Sequence, residues 1–185
     1  REAIDALVSQ GAIEERSAET MARNADVILI SVTGTPQVRD VFMRDQGLLA
    51  GAHAGLVVID SSTVDPGFAH EAHELLQAHG ARFLDSPVNR TPKEARKGCL
   101  NALVGGDTGT LDAVRPVLEC ITESIYHLGG LGAGYRAKLI HNFVSQANIA
   151  ILAEAFGTAS TLGLDLNVFA DLCRMSGAHS RAFDR

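Results

Sequence analysis

Short apolar, β-branched runs alternate with helical patterns along most of this chain, and that rhythm restricts it to few folds. The strand candidates are residues 26–32, 56–60, 82–88, 101–104 and 124–128. Helical spacing covers residues 2–9, 18–24, 36–45, 66–78, 108–120 and 166–175. Strands of about five residues separated by helices predict a mostly parallel sheet with helices on both faces. After Gly132 the rhythm stops. One long apolar helix reaches about Thr161, and no strand follows it. The expectation is therefore α/β, a doubly wound and mostly parallel sheet over residues 1–130, then the start of an all-α domain over 131–185.

The 185 residues suffice for one sizeable domain or one domain plus part of a second. A net charge of −6 offers no electrostatic case for nucleic acid or an anionic membrane. No apolar run approaches the ~20 residues of a membrane span. Cys99, Cys120 and Cys173 are odd in number and lack metal-ligand spacing, which predicts reduced thiols in a cytoplasmic protein. His70 and His73 lie three apart without a third ligand nearby, so no metal site is expected. The chain opens at Arg1 rather than Met, shows no signal peptide, and stops at Arg185 without an end signal. It reads as a fragment of something longer.

Three strand-to-helix junctions share one syntax. Thr33, Gly34, Thr35 and Pro36 follow the first strand; Ser61 to Pro66 follow the second; Asn89, Arg90, Thr91 and Pro92 follow the third. In each, Thr or Asp stands where a helix N-cap would be, and Pro where the first helical residue would be. Glu94, three residues after Thr91, completes a capping box. In a parallel sheet such turns gather at the carboxyl edge, where doubly wound folds bind ligands. Each turn alone is only a well-made cap; three on one rim are consistent with a binding cleft. Arg90 could offer bidentate recognition of a carboxylate, sulfonate or phosphate, or could simply balance Glu94 and Asp85.

Lys138 sits inside the most apolar stretch, with Asn142 one helical turn later. Burying an ammonium unpaired is costly, so the lysine needs a partner or a task, or else snorkels to water. Positions i and i+4 share a helix face and can act on one small ligand. The glycine-rich run 129–134 imitates a dinucleotide loop, but Tyr135 stands where the last Gly would be. A tight turn that brings the helix start close to another backbone explains it better.

Taken together, these segments resemble the β-hydroxyacid dehydrogenase family. Four blocks carry the resemblance: ADVILISV at 25–32; Asp60, Ser62 and Thr63 followed by Pro66; Asp85, Ser86, Pro87 and Val88 with Gly98, Gly105 and Gly106 downstream; and Gly132, Gly134, Lys138 and Asn142. The resemblance implies a Rossmann-like domain, a long interdomain helix, and NAD or NADP as cofactor. It implies Lys138 as general acid or base and Asn142 as the group holding the substrate oxygen. It places Val32, Thr33, Gln37 and Thr63 at the nicotinamide cofactor, and Ser62, Asn89, Arg90 and Thr91 at the substrate.

Two departures stand out. The family's GxGxxG segment, with the residue that selects NAD or NADP, would precede Arg1, so these residues alone are not expected to bind a dinucleotide well. The usual Ser-Gly-Gly of the substrate loop is replaced by Asn89, Arg90 and Thr91. That variant is similar to the sulfolactaldehyde and γ-hydroxybutyrate reductase subgroup, which implies a short substrate with a strongly anionic end. The implied reaction interconverts a small anionic β- or γ-hydroxy acid and its semialdehyde or ketone, in a homodimer or homotetramer. The competing readings are a non-catalytic binding or assembly module on the same fold, or an imine-reducing relative.

Overall fold

The computed structural model describes residues 1–180 and 183. The chain runs α1 (Glu2–Val8), α2 (Ala18–Asn24), β1 (Val27–Ile30), α3 (Thr35–Met43), α4 (Leu48–Gly51), β2 (Val57–Asp60), α5 (Phe68–Gln77), β3 (Arg82–Asp85), β4 (Val88–Asn89), α6 (Pro92–Ala95), β5 (Leu100–Val104), α7 (Thr108–Glu119), β6 (Thr122–His127), α8 (Ala133–Thr161) and α9 (Leu166–Arg174). It forms two compact units, residues 1–138 and 139–185.

In the first unit β1, β2 and β3 form a parallel sheet in that order, with Ile30, Asp60 and Asp85 level at its carboxyl edge. Every residue of β2 is buried. Because strand side chains alternate, Val58 joins one apolar cluster while Val57 and Ile59 join another. The first cluster packs β1, β2 and β3 against Phe42 of α3 and Phe68 and Leu76 of α5; Phe42 and Phe68 meet edge to face at 5.5 Å. The second packs the opposite side against Leu111, Val114 and Leu118 of α7. Two helical layers around a parallel sheet are the expected Rossmann-like arrangement, and burial of each Phe or Leu contributes about 1.5–3 kcal/mol.

The expected strand 82–88 is in fact two. β3 ends at Asp85, and β4 joins a second sheet of order β4-β5-β6, antiparallel to β5, while β5 and β6 are parallel. Pro87 explains the break. It has no N–H to continue a ladder, and its carbonyl instead accepts from Leu103 N at 2.9 Å. The two sheets meet through an isolated bridge between Asp85 and Gly105. The short helix α4, which no periodicity announced, buries Leu48.

The second unit contains the remainder of α8 and α9. Among its described residues Ala159 and Cys173 are buried, and Phe156 meets Phe169 edge to face at 5.1 Å. Among the described residues no helix is long and apolar enough to cross a membrane.

Candidate functional site

The carboxyl edge of the first sheet is laced by side chains from two turns. Ser62 Oγ accepts a hydrogen bond from Val32 N at 2.9 Å, and Thr35 Oγ1 accepts from Asp65 N at 2.9 Å. These bonds join the turn after β1 to the turn after β2. Capping differs from expectation at both. Helix α3 begins one residue early, with Gly34 at its N-cap, because the Thr35 hydroxyl is committed to Asp65. Helix α5 begins at Phe68; Asp65 instead folds an Asx turn by accepting from Gly67 N at 2.8 Å. Only Thr91 caps as expected, accepting from Lys93 N at 3.3 Å while Glu94 returns to Thr91 N at 3.1 Å. That third turn follows β4, not β3, so it belongs to the second sheet.

Of the expected cofactor residues, Val32 and Thr33 lie in the turn after β1, Thr63 in the turn after β2, and Gln37 in the first turn of α3. Val32 is half-buried, and Thr33, Gln37 and Thr63 are exposed. Ser62 is buried, with its oxygen already accepting from Val32.

Below the rim lie two buried carboxylates. Asp85 Oδ1 accepts from Gly132 N at 2.7 Å, and its Oδ2 accepts from Tyr135 N at 2.9 Å, so this aspartate caps the start of α8. Asp60 Oδ1 accepts from Ser62 N at 2.9 Å, and its Oδ2 accepts from the Tyr135 hydroxyl at 2.5 Å. Burial raises both carboxyls above the usual aspartate range, while their hydrogen bonds pull the other way. Burial and the two neighbouring aspartates push the Tyr135 hydroxyl strongly up, so it stays protonated and donates. The glycine-rich turn permits this approach, as expected. A Cβ on Gly134 would lie 2.1 Å from the Leu103 carbonyl oxygen and 2.8 Å from Asp85.

Lys138 is half-buried near the start of α8. Its Nζ donates to the Val88 carbonyl at 2.8 Å and to Asn89 Oδ1 at 2.7 Å. Both acceptors are neutral, and burial lowers the ammonium below the ordinary lysine value. Asn89, expected near the substrate, is thus held against the expected proton-transfer group. Asn142 lies four residues further along α8, in the second unit, and is half-exposed.

Arg90 adopts φ +89°, in the region that favours glycine, and pairs with Glu123 rather than with Glu94 or Asp85. Glu123 is an unpaired residue of β6: Leu100 faces Thr122 and Asn101 faces Ser124, so it falls in a bulge.

Sequence reasoning overlooked Tyr135 and the work of Asp60 and Asp85. The signals were present: each aspartate closes an apolar strand, and an aromatic follows four glycines closely.

Two family descriptions match the chain. Residues 1–129 match the NAD binding domain of 6-phosphogluconate dehydrogenase, and residues 132–185 match the NAD-binding of NADP-dependent 3-hydroxyisobutyrate dehydrogenase. The chain is 33% identical to an NAD-dependent L-serine dehydrogenase of Pseudomonas aeruginosa, over 98% of this chain and 61% of that protein. It is 32% identical to the mitochondrial 3-hydroxyisobutyrate dehydrogenase of Drosophila melanogaster, over 94% of this chain and 53% of that one. Among solved structures, a Mycobacterium tuberculosis 3-hydroxyisobutyrate dehydrogenase with L-serine aligns at TM-score 0.87 and 35% identity, covering 95% of this chain and 59% of that one. An imine reductase from Myxococcus stipitatus shares the fold at TM-score 0.83 and 18% identity, covering 91% of this chain and 58% of that one. The chain thus spans between about half and two thirds of the length of the relatives it matches. With both descriptions met in order along the chain, it belongs to the β-hydroxyacid dehydrogenase family, whose N-terminal portion is a 6-phosphogluconate dehydrogenase-type NAD-binding domain.

Proposed function

We propose that this chain is part of an NAD(P)-dependent oxidoreductase that interconverts a small anionic β- or γ-hydroxy acid and its semialdehyde or ketone. The observation that carries the reading is Lys138: half-buried, lowered by that burial, and held by the neutral oxygens of Val88 and Asn89. Such an amine can lose and regain a proton nearer neutral pH than a solvated lysine. When the alcohol is oxidised, neutral Lys138 takes the hydroxyl proton. When the carbonyl is reduced, charged Lys138 returns it to the oxygen. Asn142, one turn on, would hold that oxygen in place.

The residues present fit the nicotinamide end of the cofactor. Thr33, Gln37 and Thr63 offer exposed polar side chains at the carboxyl edge of a parallel sheet, where this fold binds nucleotides. When bound, the nicotinamide accepts or supplies the hydride. Arg90 and Thr91, with Asn89, would recognise the anionic end of the substrate, and Ser62 would contribute to its binding. The cofactor domain is assigned to residues 1–130 and the helical domain to 131–185. Ile140, Phe143 and Ile151 expose apolar area on α8, which supports a homo-oligomer.

The test is Lys138→Ala in the full-length protein, assayed against short semialdehydes with NADH and NADPH. Turnover should fall by about 10²–10⁴-fold, the usual contribution of a general acid or base, while cofactor binding stays near wild type. Turnover at the wild-type rate would overturn the assignment.

A further inference from the structure

From the hydrogen bonds that join Val32, Ser62, Asp60 and Tyr135, we infer that Tyr135 is a positioning residue that fixes Lys138 relative to the cofactor turn. The inference rests on the oxidoreductase reading above and adds to it a residue that neither touches substrate nor transfers a proton.

The connection is continuous. Val32 N donates to Ser62 Oγ at 2.9 Å, Ser62 N donates to Asp60 Oδ1 at 2.9 Å, and the Tyr135 hydroxyl donates to Asp60 Oδ2 at 2.5 Å. Tyr135 is also held at its backbone, where its N–H donates to Asp85 Oδ2 at 2.9 Å. Lys138 follows three residues later on the same helix, just under one turn, so its Cα is set by where Tyr135 is set. The far end of the lysine is then caught by Val88 and Asn89. One end of this path is the turn expected to meet the nicotinamide, and the other is the group expected to move the proton.

Packing alone does not require the hydroxyl. Tyr135 is 1% exposed among Val64, Phe68 and Leu131, a site that a phenylalanine would fill. The tyrosine oxygen instead places a polar group in the core, opposite a carboxylate that is itself fully buried. A buried polar pair of this kind gives little net stability over an apolar substitute, but it fixes one geometry in both distance and direction. Hydride and proton transfer need such fixing, since a displacement of about 1 Å between reacting groups can cost about 10²-fold in rate.

The experiment compares Tyr135→Phe and Asp60→Asn with wild type and Lys138→Ala in the full-length enzyme, following alcohol oxidation across pH and the thermal midpoint. Tyr135→Phe removes one oxygen and should lower kcat by about tenfold or more while leaving KM for the alcohol nearly unchanged. It should also move the rising alkaline limb of kcat to higher pH. A lysine less firmly placed is better hydrated, and hydration returns it toward the ordinary lysine value. Asp60→Asn keeps the shape and part of the contact, so it should show the same changes in smaller measure, and it reports independently if Tyr135→Phe folds poorly. Wild-type kcat and an unmoved limb in both variants would overturn the inference. So would a fall in kcat with the limb unmoved, since that is the result of simple loosening of the fold. Lys138→Ala separates the two levels: if it retains turnover, the oxidoreductase reading fails, whereas inactive Lys138→Ala with normal Tyr135→Phe removes the positioning role alone.

Discussion

Asn89 Oδ1 accepts a hydrogen bond from Lys138 Nζ at 2.7 Å, which ties the turn expected to read the substrate to the amine expected to move its proton. The pairing joins the β4 end to the helix start and explains how a half-buried ammonium is tolerated beside two neutral acceptors.

Replacing Asn89 tests that coupling through pH. In Asn89→Asp a carboxylate would stand beside the ammonium and favour its charged form. Oxidation uses neutral Lys138 and rises with pH, whereas reduction uses charged Lys138 and falls with pH. Both limbs should therefore move to higher pH, so that oxidation at neutral pH slows while reduction persists further into alkali. Asn89→Ala removes one hydrogen bond worth about 1 kcal/mol, which corresponds to roughly a fivefold to tenfold loss in kcat. Limbs that stay in place in Asn89→Asp would show that the side chain does not bear on the amine.

Asp60 and Asp85 should respond in opposite ways to loss of charge. Burial raises both above their unfolded value of 3.8. A raised carboxyl favours folding fully below that unfolded value, and the contribution is lost as pH rises through the folded value, so at neutral pH each ionised group weighs against the fold. Asp60→Asn keeps an acceptor for Ser62 N and a partner for Tyr135, and its thermal midpoint should equal or exceed wild type at pH 7. That advantage should vanish as the pH approaches 3.8. Asp85 accepts backbone N–H groups on both oxygens, and an amide would turn a donor toward one of them. Asp85→Asn should lose roughly 1–3 kcal/mol at pH 7. Denaturant titration of both variants at two pH values checks the contrast.

Two glycine-to-alanine changes on the same helix should differ in sign. At Gly134 the new Cβ would sit 2.1 Å from the Leu103 carbonyl oxygen, a backbone atom that cannot step aside. Gly134→Ala should cost about 3 kcal/mol or more and lower the yield of folded protein. At Gly157, inside α8, a Cβ meets nothing within 4 Å. Gly157→Ala should gain about 0.5–1 kcal/mol from helix propensity alone. Thermal midpoints measured side by side decide the matter.

The longer helices and the parallel strands of the first unit were legible because their signals are local. A continuous apolar run from Leu56 to Ile59 marks β2, and helical spacing marks α5 and α7. Thr91 was legible as a cap because its partner Glu94 is three residues away. What escaped depends on distance along the chain. Tyr135 meets Asp60 across 75 residues, and nothing near either residue announces the other. The turn of the chain at Pro87 escaped for a related reason: apolar Val88 follows it as if continuing the strand of Phe83 and Leu84, and only the pairing of β4 with β5 shows where the chain changes sheets. Arg90 was legible as a departure from the family's glycines, yet its ion pair was not, because a bulge in β6 is what exposes Glu123 to it.

Arg90 combines a backbone cost with a side-chain gain, and substitutions can separate them. Its φ of +89° suits glycine, the residue that the family pattern carries in this loop. Both Arg90→Ala and Arg90→Gly delete the guanidinium, so both should raise KM for an anionic substrate by a similar factor and leave an uncharged aldehyde little affected. They should differ in stability, because alanine keeps the strain of a positive φ and glycine relieves it. Arg90→Gly should be the more stable by about 1 kcal/mol. Glu123 competes with the substrate anion for the same guanidinium. An exposed pair of this kind is worth up to about 1 kcal/mol, so Glu123→Gln should lower KM for the anionic substrate by at most about fivefold. Steady-state kinetics on matched charged and uncharged aldehydes, with thermal midpoints for the two Arg90 variants, would reveal whether this arginine reads the substrate or only balances a neighbouring charge. Equal KM changes for both aldehydes would leave it the second role alone.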